Sequence, residues 1–101
     1  MAYRLTVSRR AMREMGEAYE WYQQQRRGLG TDFLKALDTQ FQTIRETPAL
    51  YAEVHGRIRR GLLPQFPYAV FYASKDEVVS VLAVVHTARS PRRWPRNRAS
   101  S

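Results

Sequence analysis

The sequence predicts an α+β fold: an N-terminal strand, a helical hairpin, then a three-stranded antiparallel meander forming one small sheet. Three observations lead there. Apolar side chains recur at spacings of three and four over two segments in the first half of the chain, the period changes after Pro48, and residues that break regular structure stand at each junction.

Residues 3–7 alternate apolar and polar side chains, as a short half-buried strand does, and the Ser8 hydroxyl can accept a hydrogen bond from the first free amides of a following helix. On that helix Met12, Met15, Tyr19 and Tyr22 form one stripe with Ala11 and Ala18 beside them, until Gly28 and Gly30 stop it. Thr31 is the expected N-cap of a second helix, with Asp32 in its first turn. There Leu34, Leu37, Phe41 and Ile44 repeat at three and four until Thr47-Pro48 ends the pattern. With only Gly28, Leu29 and Gly30 between them, the two helices fold back as a hairpin. Residues 54–63, 66–74 and 77–86 then read as three strands separated by Pro64-Gln65 and Lys75-Asp76.

Tight hairpins in that meander would set Arg60 beside Ala69 and Leu82, and simple alternation then divides the sheet into two faces. One carries Tyr68, Val70, Tyr72, Val79, Val81, Ala83 and Val85, an apolar set suited to packing on the helices. The other carries Ile58, Arg60, Leu62, Ala69, Phe71, Leu82, Val84 and His86. It too is largely apolar, so a partner segment, a second copy or the C-terminal tail is expected to cover it.

At 101 residues the chain has room for one core and not two. A single domain over residues 1–94 is expected, with residues 95–101 a basic, mobile tail. No cysteine is present, so disulfides and thiolate chemistry are excluded, and His55 and His86 lie too far apart for a familiar metal-ligand spacing. No metal and no cofactor are implied. An apolar leader and a membrane-length apolar run are both missing, which makes the cytoplasm the expected location. Seventeen basic against nine acidic residues leave a net charge of +8, a surface that attracts phosphate backbones or an acidic protein.

The run Ile58-Arg59-Arg60-Gly61-Leu62-Leu63-Pro64-Gln65-Phe66-Pro67-Tyr68-Ala69-Val70-Phe71-Tyr72 resembles the arginine pair, short spacer and Phe-Pro-Tyr strand of the RelE/ParE toxin superfamily, which includes the plasmid-stabilisation proteins. Val81-Leu82-Ala83-Val84-Val85-His86, followed by Arg89, Pro91 and Trp94, resembles its closing strand. Upstream, Glu17-Ala18-Tyr19-Glu20-Trp21-Tyr22 and Gly28-Leu29-Gly30 with Phe33-Leu34 are similar to its helical hairpin. The likeness spans residues 3–94, and several motifs in the right order specify far more than one. It departs from the pattern at Ala88, where many relatives have a second arginine, and at Ser90, where many have aspartate.

The resemblance implies the toxin of a bacterial type II toxin-antitoxin system, neutralised by a cognate antitoxin in a hetero-oligomer, with no membrane association. In the mRNA-cleaving branch, basic side chains neutralise charge on a phosphate while a nearby group takes a proton from the attacking 2′-hydroxyl. Arg60, His86 and Arg89 are the candidates for that role. Equally, Arg60 and Arg89 would bind antitoxin carboxylates, and His86 would hydrogen-bond backbone at the strand's end. Ribosome-dependent relatives place an arginine where this chain has Ala69, and Trp94 stands where a C-terminal tyrosine is common; an indole cannot transfer a proton in this way. The other branch inhibits DNA gyrase by binding and needs no catalytic set. The expectation is therefore a ParE-like gyrase inhibitor, with a RelE-like endoribonuclease acting on ribosome-bound mRNA, or a decayed toxin kept as an interaction module, as alternatives. Partner binding is assigned to Ile58, Arg60, Leu62, Phe71, Leu82, Val84, Arg89 and Trp94.

Overall fold

The computed structural model describes residues 2–88. Strand β1 (Arg4–Val7) leads into helix α1 (Arg9–Gln25), helix α2 (Leu29–Glu46) and a short 3-10 turn at Pro48–Leu50, and four further strands follow: β2 (Glu53–His55), β3 (Ile58–Leu62), β4 (Tyr68–Lys75) and β5 (Val78–His86). They form one five-stranded sheet in the order β1-β5-β4-β3-β2. Neighbours pair antiparallel except β1, which runs parallel to β5. The helices cover one face. The expected strand over residues 54–63 is in fact two, because Gly56 takes a left-handed φ of 54° and turns the chain back on itself.

Ser8 caps α1 as expected, its hydroxyl accepting from the Ala11 amide at 3.0 Å. The buried stripe of α1 is Ala11, Ala18 and Tyr22 with Met15 packed alongside, whereas Met12 faces solvent. On α2 the corresponding correction puts Phe33, and not Leu34, in the core together with Leu37, Phe41 and Ile44. Both stripes keep the 3.6-residue period and most of their expected members; the differences are Met12 and Leu34, which turn toward solvent, and Phe33, which turns inward.

The hairpin is tighter than expected. Gly28, at a φ of 91°, is the N-cap of α2, so Thr31 already lies inside the helix. The cap comes from the preceding helix: Gln23 Oε1 accepts the amides of both Gly28 and Gly30, at 3.0 and 2.8 Å. Gly30 is required for a different reason than turning. A Cβ there would stand 2.6 Å from the Tyr19 carbonyl oxygen, so only glycine lets the helices meet.

Between helices and sheet, Phe33 is surrounded edge-on by Phe66 and Tyr68 and at a tilt by Tyr22, with ring centroids 5.0 to 5.4 Å away. Tyr72, fully buried, donates its hydroxyl to the Pro48 carbonyl at 2.6 Å and anchors the 3-10 turn. Burial pushes the Tyr72 phenol above its usual range, against a smaller opposing pull from Arg59, which keeps it a donor. Gln40, the one buried polar side chain among the described residues, donates to the Leu62 carbonyl and accepts from the Tyr51 hydroxyl.

One irregularity rearranges the sheet's faces. Phe71 pairs with Ala83 but Tyr72 pairs with Val81, so Leu82 stands opposite nothing and forms a β-bulge. Side-chain alternation inverts past that point. Val84 therefore joins Val79, Val81, Val70 and Tyr72 in the main core under the helices, while Ala83 and Val85 turn to the other side. Arg60 pairs with Phe71, in line with Ala83, and not with Ala69 as simple hairpins would have it.

Candidate functional site

The sheet face turned away from the helices, the outer face, carries a second apolar cluster of Ala69, Phe71, Ala83 and Val85, with Ile58 and Leu82 packed against it. Paired residues share a side, so the rows Leu62, Ala69, Val85 and Arg60, Phe71, Ala83 run across three strands of this face. Ile58, Arg60, Leu62, Phe71 and Leu82 all belong here, as the sequence indicates. Val84 does not: it is 1% exposed in the main core and cannot meet a partner. Arg89 and Trp94 lie outside the described residues, as does the expected tail.

The adjacent arginines of β3 are separated by strand alternation. Arg59 points to the helix side, donates to the Tyr51 carbonyl at 2.6 Å and stands 3.5 Å from the Glu53 carboxylate. Arg60 emerges on the outer face, and no ion pair or side-chain hydrogen bond engages it among the described residues. Ala69 is buried between Leu62 and Val85 in register.

His86 is also displaced by the bulge. It pairs with Tyr68, places its ring edge-on 5.1 Å from that phenol, and opens into a pocket of about 410 Å³ between α1 and the end of β5. His86 Nδ1 accepts the Ala88 amide at 3.1 Å. Among the described residues, the polar groups lining this pocket besides His86 and Tyr68 are Glu14, Glu17 and the Trp21 indole, with no lysine or arginine. Carboxylates repel a phosphate. Arg60 and His86 occupy opposite faces of the sheet and are not brought together, while Arg89, the third candidate, lies outside the described residues. No cluster of three metal-binding side chains occurs among the described residues.

Glu14 is the residue the sequence reading missed. Strand β1 ends opposite Val81, which leaves the edge of β5 beyond it without a neighbouring strand. Helix α1 closes that edge: the Ser8 amide donates to the Val81 carbonyl, the Ser8 hydroxyl donates to the Leu82 carbonyl, and Glu14 Oε1 accepts the Val84 amide at 2.8 Å. Its other oxygen accepts from Arg10 at 3.0 Å. An acidic residue beside the apolar stripe was the only signal, and it is a weak one. Glu14→Ala leaves the Val84 amide unpaired and is expected to cost about 1 to 3 kcal/mol. Urea unfolding checks this, and a loss equal to that of Glu17→Ala would show that the bond contributes nothing.

Among the described residues, no helix is long and apolar enough to cross a membrane. The model of a family described as the ParE toxin of the type II toxin-antitoxin system, parDE, matches residues 5–91. A solved structure titled as the chromosomal ParDE toxin-antitoxin system from P. aeruginosa superposes with a TM-score of 0.74 at 13% identity, covering 84% of this chain and 96% of that one. At that identity the likeness concerns the fold. No curated protein matches the chain.

Proposed function

Because this chain belongs to the ParE toxin family of type II toxin-antitoxin systems, we propose that it arrests growth by binding DNA gyrase in the cytoplasm, not by cutting mRNA, and that a cognate antitoxin neutralises it by covering the outer face. One observation carries the preference for binding over cleavage: Arg60 and His86 sit on opposite faces, and His86 opens into a pocket lined by carboxylates. Phosphate cleavage requires several donors held at once around the reacting group, and loss of a single one typically costs about 10² to 10³ in rate. A binding inhibitor carries no such requirement. The antitoxin side of the proposal is supported by the outer cluster around Phe71 and by Arg60, which suit a segment with apolar and acidic side chains.

Two assays on purified protein test the target. Added to a gyrase supercoiling reaction, the protein is expected to inhibit; added to translating ribosomes with a defined mRNA, it is expected to leave the message intact. Codon-phased cleavage that disappears in Arg60→Ala or His86→Ala would reverse the assignment. Expression without the neighbouring antitoxin should stop growth, and harmless accumulation of folded protein would mark a decayed toxin.

A further inference from the structure

At the β2 end of the outer face, Tyr51, Ala52, Val54, Arg60 and Leu62 line a groove of about 310 Å³. Two of its walls are aliphatic side chains left in solvent, Val54 at 44% and Leu62 at 51% exposure. Single exposed aliphatics are ordinary, but two in one groove beside an arginine without an ion-pair partner among the described residues are not. The groove also adjoins a strand edge, since among the described residues β2 ends the sheet and pairs only with β3. Backbone donors and acceptors on such an edge can receive another strand.

We infer that this edge seats an extended acidic segment of the partner protein as a sixth strand, with an apolar side chain in the groove and a carboxylate on Arg60. That a protein partner exists rests on the toxin-antitoxin reading; the chemistry of its docking segment comes from the groove. Residues two apart on a strand face the same side, and Arg60 and Leu62 are two apart on β3. An incoming strand that carries an acidic and an apolar residue separated by one position presents both to that side. β2 is only three residues long, so few backbone bonds are gained and the two side-chain contacts decide which segment binds. A second copy of this chain is the wrong occupant. The β2–β3 hairpin carries Arg57, Arg59 and Arg60 against Glu53, on a chain of net charge +8, so two such edges repel.

The test uses the full isotope-labelled chain and two blocked heptapeptides, one alternating glutamate with leucine and the other alternating lysine with leucine. The glutamate peptide is expected to shift NMR signals of Val54, Arg60 and Leu62 and to slow amide exchange in β2, while the lysine peptide does neither. Arg60→Glu should reverse the preference, weakening the glutamate peptide by roughly tenfold or more. The inference is overturned by equal responses to both peptides, by no response, or by shifts centred on Trp21 and His86. Concentration-dependent broadening of β2 signals without peptide would overturn it in favour of a second copy. These outcomes leave the growth and supercoiling assays untouched, so failure here is distinct from failure of the toxin reading.

Discussion

Phe33→Ala is expected to lower the unfolding free energy by about 3 to 5 kcal/mol, within the range found for truncating a large buried aromatic. Phe33 is fully buried, and its ring meets Tyr22, Phe66 and Tyr68 at centroid separations of 5.3, 5.4 and 5.0 Å. These neighbours come from α1, from the segment before β4 and from β4 itself, and none can follow the missing ring inward without leaving another contact. A domain of this size has only about 5 to 15 kcal/mol to lose. Urea denaturation monitored by circular dichroism measures the effect. Phe33→Leu, which keeps most of the volume, should cost much less, and a loss under about 1 kcal/mol for the alanine variant would mean that the aromatic cluster does not anchor the helices.

A larger contrast is expected between two substitutions that simple alternation would place on one face. Val84→Asp should abolish folding at neutral pH, because the carboxylate would be buried without a partner cation and close to Glu14, whose Oε1 already bonds the Val84 amide. Leu62→Asp, at a side chain 51% exposed, should leave the melting temperature within a few degrees of the parent while weakening binding of the antitoxin. Phe71→Asp cannot make this distinction, since Phe71 is 6% exposed and the substitution would harm folding and binding together. Thermal unfolding of the two variants settles the matter: a folded Val84→Asp protein would mean that β5 has no bulge at Leu82.

Much of the candidate surface is legible in the sequence. Ile58, Arg60 and Leu62 alternate on a strand that contains no irregularity, so their common side follows from the period of two. Phe71 joins them because β3 and β4 pair without a shift. Val84 and His86 were misplaced for an identifiable reason. In Val78–His86 the faces of the strand are apolar apart from Ser80 and His86, so inserting one unpaired residue at Leu82 leaves a pattern that reads nearly as well in either register.

The chain's own local chemistry determined the helical hairpin, the alternation along β3 and β4, and the basic surface. Each depends on residues within a few positions of one another, through side-chain periodicity, caps and glycine or proline stereochemistry. Family membership was also legible, because its motifs are strings of adjacent residues. Only the tertiary structure decided the parallel pairing of β1 with β5, the burial of Phe33 in place of Leu34, the bulge, and the separation of Arg60 from His86. Those depend on bonds between residues far apart in sequence, such as Ser8 to Leu82 and Glu14 to Val84, spanning 74 and 70 positions. A hydrogen bond satisfied at such separation leaves no periodic trace in the sequence, yet it selects which side of the sheet a histidine faces.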